Sequence, residues 1–315
     1  MAPTERLIHI VADFGTAGDT CAQALALQAL LAPLAEVRCW STGTLPAAGW
    51  NLVPVSRVVA FGGDCPAGGT LLLVGPRQPL SPWLERSRAR RIVILSDSGD
   101  GDALFRLLAS VRASTLPEPE LAFSCSALAM ALGINGRLLP PLVDLPRLHR
   151  PTFRRPVVAM PPLRHPALIA LARSWALAGL DVLLVGARPA DVPPGAEGIA
   201  ALTVRGPLRS ADLLATDIVF LPETSGVQPW PHRLLPTAMA AGCAVVTARR
   251  GAEDWLIEGE SGLVATSPDE AMVRVSSLAT DAGLRRRLGE GARTQAERLS
   301  GPAARSALAG WLFSA

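Results

Sequence analysis

The chain has 315 residues, of which 49% are hydrophobic and 18% charged, and its formal net charge is +3. All 30 basic residues are arginine, and tyrosine is absent as well. The lack of lysine excludes Schiff-base enzymes, P-loop enzymes, kinases and Tyr-Lys dehydrogenases. A small charge that is spread over both halves also argues against a nucleic-acid partner.

The cysteines and the apolar segments indicate in which cellular compartment the protein is located. The 5 cysteines are scattered and include no Cys-x-x-Cys pair, so we expect reduced, mostly buried thiols rather than a disulfide framework or a zinc site. The N-terminal segment lacks the features of a signal peptide, and Ala167–Gly186 is interrupted by Arg173 and Asp181. These observations predict a cytoplasmic protein without a membrane span.

The first half of the chain alternates short runs of Val, Ile and Leu with helical patterns, which is typical of a parallel sheet that is buried on both faces. The predicted strands are Leu7–Ala12, Val37–Trp40, Val58–Phe61, Thr70–Val74 and Ile92–Leu95. The predicted helices are Thr20–Leu34, Pro82–Arg88 and Ala103–Ala113.

The second half repeats this alternation from a new first strand. Its predicted strands are Val157–Met160, Asp181–Val185, Ile199–Val204, Asp217–Leu221 and Ala244–Thr247. Its predicted helices are Pro166–Ala178, Ser210–Ala215, Arg233–Ala241, Asp269–Ser277, Asp281–Arg298 and Ala303–Phe313. Two successive βα arrays predict the α/β class, with two Rossmann-like domains.

A proline-rich stretch, Pro140–Pro146, predicts the connector between these domains. We therefore expect an N-terminal domain over residues 1–148 and a C-terminal domain over 149–298. Residues 299–315 are expected to form a helix that packs back on the N-terminal domain.

Several residues stand where chemistry could occur. Gly15 and Gly18 lie in a turn between a strand and a helix, which can present backbone N–H groups to an anion. Arg164 lies between a strand and a helix, where it can hold a diphosphate.

Other polar residues have a structural interpretation. The acidic run Asp97–Asp102 predicts a turn in which Asp102 caps the next helix. His9 predicts a satisfied core residue, and the basic run Glu85–Arg91 predicts a solvated helix end.

A family resemblance begins at Asp217. Asp217–Pro222 resembles a strand that ends in Pro-Ser in glycosyltransferases of the GT-B fold, family 4 and its group 1 relatives. Ala238–Val246 resembles their Glu-Ala-Met-Ala-x-Gly-x-Pro-Val-Val signature. The segment Gly251–Val264 resembles a third family motif, with Asp254 at the position of its acid, and weaker similarity extends over nearly the whole chain.

The resemblance implies transfer of a sugar from a nucleotide-sugar donor to a glycan, lipid or other acceptor, with retention and without a metal or other cofactor. It implies that parallel sheets face each other across a cleft, with the donor on the C-terminal domain. Arg164 and Glu223 would serve the chemistry. The donor would contact Gly15, Gly18, Arg164, Gln228, Arg233, Thr237 and Asp254.

The sequence also departs from the family pattern at the paired acids. Thr237 occupies the position of the acid that binds the ribose, and Pro229 occupies the position of the other acid. A threonine can hydrogen-bond a hydroxyl group, but it lacks the charge of a carboxylate. The alternative is therefore a GT-B protein that has lost catalysis and binds a ligand or a partner enzyme. Peripheral contact with the inner membrane face is also left open.

Overall fold

The computed structural model describes residues 7–15, 18–43, 45, 53–58, 63–75, 83–96, 101–146, 155–161, 166–186, 192, 197–202, 208–222, 233–248 and 252–313. These residues form two compact units. The first unit holds the described residues up to Leu142 and those from Arg305 onward. The second unit holds the described residues from Val143 to Ala304.

The first unit is built on a seven-stranded parallel sheet. Its strands are β1 (Leu7–Ala12), β2 (Glu36–Ser41), β3 (Val55–Arg57), β4 (Thr70–Val74), β5 (Arg91–Ser96), β6 (Glu120–Phe123) and β7 (Arg137–Leu138). Their order is β3-β2-β1-β4-β5-β6-β7. In the register, Ile10 of β1 is level with Cys39 of β2 and with Leu72 of β4. Each of these three side chains is buried, as expected for strands that are covered on both faces.

Four helices of the first unit connect these strands. They are α1 (Asp19–Leu31), α2 (Trp83–Arg86), α3 (Gly101–Arg112) and α4 (Ser126–Leu132). Leu27 and Leu31 of α1 pack into the core on one face of the sheet. Helix α4 ends at Gly133, whose φ of 64° is in the left-handed region that favours glycine.

The second unit is built on a six-stranded parallel sheet. Its strands are β8 (Val157–Met160), β9 (Asp181–Val185), β10 (Ile199–Leu202), β11 (Ile218–Leu221), β12 (Ala244–Thr247) and β13 (Leu263–Val264). Their order is β10-β9-β8-β11-β12-β13. This order repeats the arrangement of the first six strands of the other sheet, which is the order of a Rossmann fold.

The helices of the second unit pack on this sheet. They are α5 (Pro166–Leu177), α6 (Leu234–Ala240), α7 (Pro268–Thr280) and α8 (Ala282–Ser300). Trp175 of α5 packs edge-on against Phe220 of β11, with ring centroids 5.3 Å apart. The side chains of Ser267 and Asp281 cap α7 and α8 by accepting hydrogen bonds from backbone N–H groups.

The last helix, α9 (Pro302–Phe313), contributes Leu308 and Leu312 to the core of the first unit. Arg91 holds the end of this helix, because its Nη1 donates to the carbonyl oxygens of Trp311 and Leu312 at 3.1 and 2.8 Å. The same guanidinium forms a two-point ion pair with Glu120. Arg137 lies 4.9 Å from the centroid of the Trp311 ring. The two hydrogen bonds from Arg91 satisfy carbonyl groups that the end of a helix leaves without an intrahelical partner.

The prediction of an α/β fold with two parallel sheets is confirmed, and several predicted elements need correction. The strand predicted at Val58–Phe61 is wrong at Val58, because β3 ends at Arg57, and the rest of it lies outside the described residues. The helix predicted at Ser210–Ala215 is a short 3-10 helix, Ser210–Leu213. Asp102 is not a cap, because α3 begins at Gly101. β6, β7, β13 and α4 were not predicted from the sequence.

Candidate functional site

The carboxyl ends of the central strands are where a ligand is expected in such a sheet. In each sheet, the connections that follow two adjacent central strands run towards opposite edges of the sheet. These two strands are β1 and β4 in the first sheet and β8 and β11 in the second. Ligands of open α/β sheets bind at this switch point, because the loops on either side diverge and leave a crevice. In the second unit, the segment after β11 leads to Arg233 and to helix α6.

Arg233 and Thr237 lie one helical turn apart at the start of α6. The backbone N–H of Thr237 donates to the carbonyl oxygen of Arg233 at 3.1 Å. The Arg233 side chain is buried, with 7% of the residue exposed, and its Nε donates to the carbonyl oxygen of Leu208 at 3.4 Å. The structure thus brings together two of the predicted donor-binding residues, one cationic and one neutral.

The hydroxyl of Thr237 is an orphaned polar group. The residue is fully buried, and within the described part of the chain its Oγ1 has no hydrogen-bond partner. Thr216 has the same property, but it lies at the amino end of β11 rather than beyond its carboxyl end. An orphaned buried hydroxyl costs about 1–3 kcal/mol relative to a satisfied one, so each threonine calls for an explanation.

Asp254 lies at the end of a short 3-10 helix, Ala252–Asp254, which follows β12. The residue is half-buried. Its neighbour Trp255 is fully buried and donates its backbone N–H to the carbonyl oxygen of Ala252 at 2.9 Å. The buried indole therefore fixes the backbone that carries the Asp254 carboxylate.

The two predicted glycines lie in the first unit, where the turn after β1 leads to α1. The N–H of Gly15 donates to Asp13 Oδ1 at 3.0 Å, so this turn already binds a carboxylate of its own chain. Gly18 precedes α1 with a φ of −96°, and a Cβ atom there would meet nothing within 4 Å. A Cβ atom at Gly43, after β2, would lie 2.9 Å from Asp13 Oδ1, so a larger residue there would displace the Asp13 carboxylate.

Three predicted site residues, Arg164, Glu223 and Gln228, lie outside the described residues. Their convergence with Arg233, Thr237 and Asp254 therefore stays a prediction. The candidate residues that the structure does describe are one buried cation, one buried neutral hydroxyl and one half-buried carboxylate, all in the second unit. The orphaned state of Thr237 and the role of Gly43 have no signal in the sequence, because each depends on contacts between distant segments.

The interpretation of His9 as a satisfied core residue is confirmed. Its Nδ1 accepts a hydrogen bond from Trp40 Nε1 at 2.9 Å, which leaves Nε2 to donate to the carbonyl oxygen of Ala67 at 3.1 Å. Burial lowers the pKa of this imidazole below its ordinary value of 6.5. The neutral ring fits this pair of partners, whereas a protonated ring would place two donors face to face.

The structure places none of the five cysteines in a disulfide: four are buried, and Cys65 is half-buried. Burial raises the pKa of the Cys39 thiol to about 12, so it stays protonated and unreactive. Among the residues that the structure describes, there is no group of three or more His, Cys, Asp or Glu side chains placed to hold a metal ion. None of the helices described is both long and apolar enough to cross a membrane.

Comparisons with known proteins indicate the class of this fold. Residues 169–307 match the model of a family described as "Glycosyl transferase-like". This stretch lies on the second unit and the start of α9, and it includes Arg233, Thr237 and Asp254. No curated protein matches the sequence.

Solved structures match the chain over almost its whole length. HepE of Anabaena, in complex with UDP and glucose, is 15% identical with a TM-score of 0.72, over 98% of this chain and 100% of that one. Sucrose-phosphate synthase of Thermosynechococcus elongatus is 16% identical with a TM-score of 0.67, over 98% of each chain. WaaG, a glycosyltransferase of lipopolysaccharide biosynthesis, is 13% identical with a TM-score of 0.65, over 98% and 100%. The chain therefore has the GT-B fold, and its predicted resemblance to group 1 GT-B glycosyltransferases is confirmed.

Proposed function

We propose that this protein is a glycosyltransferase that moves a sugar from a nucleotide-sugar donor to a glycan, lipid or other acceptor, with retention and without a metal. The observation that carries the proposal is the placement of Arg233 and Thr237 one helical turn apart, where the chain enters the helix that follows β11. Both residues lie within the stretch that matches the glycosyltransferase family model. The UDP-glucose complex of HepE, which has the same fold, supports a nucleotide sugar as the donor.

The chemistry of the transfer explains why cations belong in this site. An acceptor hydroxyl oxygen forms a bond to the anomeric carbon while the bond from that carbon to the phosphate oxygen breaks. The electron pair leaves with the nucleoside diphosphate, whose oxygen takes the acceptor proton. Fixed cations lower the barrier, because negative charge grows on the diphosphate as the bond breaks. Without any lysine, the chain can supply such charge only from arginine, and we assign this role to Arg164 and Arg233.

The other predicted donor contacts complete the proposal. We assign the ribose contact to Thr237 and further donor contacts to Gln228 and Asp254, and we place Glu223 at the reacting sugar. A cytoplasmic location, membership of family 4 and contact with the inner membrane face also stay predictions. Each assignment follows from the resemblance of the sequence, and the described geometry of Arg233, Thr237 and Asp254 is compatible with it.

A specific observation favours a second candidate, a GT-B protein that binds a nucleotide without catalysis. Thr237 is neutral and fully buried at the position where the family carries an acid. A neutral hydroxyl forms weaker hydrogen bonds to a ligand than a carboxylate does, since a charged acceptor roughly doubles their strength.

One experiment tests both candidates. The protein is incubated with UDP, GDP, ADP or TDP, and then with the corresponding glucose donors, and its melting temperature and the release of nucleoside diphosphate are recorded. A ligand at 100 times its Kd stabilises the fold by about 2.7 kcal/mol, which gives a clear thermal shift. We expect a shift and slow release of the diphosphate through hydrolysis. A shift without release would support the binding protein, and no shift with any ligand would refute both candidates.

A further inference from the structure

The segment that carries Asp254 is a loop held by internal hydrogen bonds, which we define as residues 252–266 and call the anchored loop. Two hydrogen bonds close it on itself. The N–H of Ile257 donates to Ser261 Oγ at 2.7 Å, and the N–H of Gly259 donates to the carbonyl oxygen of Gly262 at 2.8 Å. The loop thus has a defined shape of its own.

Glu258 ties the turn of this loop to β13, which lies within the loop, and to α7, which follows it. Its Oε2 accepts the backbone N–H of Val264 in β13 at 2.6 Å. Its Oε1 accepts a hydrogen bond from Arg274 Nη1 in α7 at 2.9 Å. One carboxylate therefore links the turn of the loop both to the strand that follows it and to the helix beyond that strand.

Arg274 extends the link to the far end of the loop. Its Nε donates to Glu270 Oε1 at 2.9 Å, and Glu270 Oε2 accepts both the N–H and the hydroxyl of Thr266 at 2.7 Å. These contacts lower the pKa of Glu270 to about 2, with the Thr266 N–H as the largest cause, then the Thr266 hydroxyl and Arg274. The carboxylate is therefore charged at neutral pH, and Arg274 links the turn of the anchored loop, through Glu258, to its last residue, through Glu270.

The exposure of this pair indicates what it does for the protein. The side chains of Glu258 and Arg274 are 49% and 28% exposed. Ion pairs with that much exposure contribute about 0–1 kcal/mol to the free energy of unfolding. The ion pair between Glu258 and Arg274 is therefore expected to contribute little to the stability of the whole protein. Its bonds do fix the backbone on both sides of the turn, and an error of about 1 Å in the position of a contacting group can cost about 100-fold in rate.

We propose that Glu258 and Arg274 are positioning residues for the donor site. They hold the anchored loop in the shape that presents the Asp254 carboxylate to the nucleotide sugar, and neither residue contacts the donor itself. This inference rests on the proposed function, because it takes Asp254 as a donor contact.

The test measures binding in two backgrounds, with the nucleoside diphosphate that gives the largest thermal shift as the probe. Its Kd is measured by calorimetry for Glu258→Ala and Arg274→Ala, in the native chain and in chains that also carry Asp254→Asn. We expect each variant to weaken binding about tenfold in the native chain, to leave the melting temperature nearly unchanged, and to have no effect when Asp254→Asn is present. Glu258→Gln, which retains an acceptor for the Val264 N–H, should restore part of the affinity.

The matched control is Glu290→Ala, which removes an exposed ion pair with Arg286 on α8 of the same unit. Its Kd should equal that of the native protein. The inference is overturned if Glu258→Ala changes Kd no more than Glu290→Ala does, or if it weakens binding equally with and without Asp254→Asn. Failure of the proposed function looks different, because no nucleoside diphosphate then binds even the native protein, and the inference falls with it.

Discussion

The two units share a strand order but treat their buried polar groups differently. In the first unit, the ring nitrogens of His9 and the indole N–H of Trp40 all have partners. In the second unit, several buried polar atoms have no partner among the described residues: Trp175 Nε1, Thr216 Oγ1, Thr237 Oγ1 and Trp255 Nε1. Gln23 Nε2 is a counterpart in the first unit.

Sheets with the same strand order thus hold buried polar groups both with and without hydrogen-bond partners. Satisfied buried groups stabilise a fold, whereas an unsatisfied one costs free energy that only a ligand, a water molecule or a function can offset. Thr216 and Thr237 are both fully buried and lie on either side of β11 in the chain. Only Thr237 follows that strand in the chain, so we predict that its hydroxyl meets a ligand and that the hydroxyl of Thr216 does not.

The comparison predicts the largest effect for a matched pair of tryptophan variants. Trp40→Phe leaves His9 Nδ1 buried without its donor, so we expect it to lower the free energy of unfolding by about 2–3 kcal/mol. Trp175→Phe removes an indole N–H that already has no described partner, so we expect a loss of about 1 kcal/mol. Urea unfolding followed by circular dichroism measures both values. Equal losses would show that the two units do not differ in this respect.

The two orphaned threonines provide the next test. Thr237→Val should weaken binding of the nucleoside diphosphate by about tenfold, which corresponds to one lost hydrogen bond of about 1.4 kcal/mol. Thr216→Val removes an equally buried hydroxyl at the other end of β11 and should leave the Kd unchanged. Both variants should retain the stability of the native protein, because each removes a group without a described partner. If the two variants give the same Kd, Thr237 has no functional role.

A smaller loss of stability is expected in the first unit when the pH is lowered, because of His9. Because burial lowers the pKa of His9, the folded protein disfavours its protonated form, and nearby Arg38 opposes protonation while Glu36 favours it. Stability should therefore be complete above about pH 6.5, the ordinary pKa, and should decrease as the pH falls below it. His9→Gln should flatten this dependence between pH 7 and 5. A native protein whose melting temperature is constant over this range would contradict the prediction.

The smallest effect is expected at Glu270 in the second unit, whose side chain is 32% exposed. Its pKa of about 2 means that its stabilising contacts are complete above the ordinary value near 4.5 and are lost as the pH falls through about 2. In Glu270→Gln, the melting temperature should vary less with pH between 4.5 and 2 than in the native protein. A parallel pH profile for the two proteins would show that Glu270 does not anchor this end of the loop.

Much of the fold could be predicted from the sequence, because buried parallel strands are recognisable runs. β1, β4, β8, β9 and β12 begin and end at the predicted residues, since each is a run of mostly Val, Leu, Ile, Ala or Met residues between polar or turn residues. β7 and β13 have two residues each and carry no such run. β6 begins at a charged residue directly after Pro119, so no apolar boundary marks it.

Less of the candidate site could be predicted. The family motif indicated Thr237 and Asp254, but it could not indicate that the hydroxyl of Thr237 would be buried without a partner. It assigned a role to Asp254 and none to Glu258, four residues later. Only the packing of β13 and α7 shows that Glu258 serves the loop. Such roles depend on which distant backbone groups a side chain meets, and a local pattern does not contain that information.

The central claim is that a nucleotide sugar binds the second unit through arginine in place of lysine. The most direct measurement is calorimetric titration of UDP, GDP, ADP and TDP into the native protein, Arg164→Ala and the control Arg173→Ala. Arg173 is an exposed arginine on α5. We predict that at least one nucleotide saturates the native protein and the control equally, and that Arg164→Ala weakens its binding by at least about tenfold, as expected for the loss of a charge-assisted hydrogen bond. Equal binding to all three proteins, or binding to none, would contradict the claim.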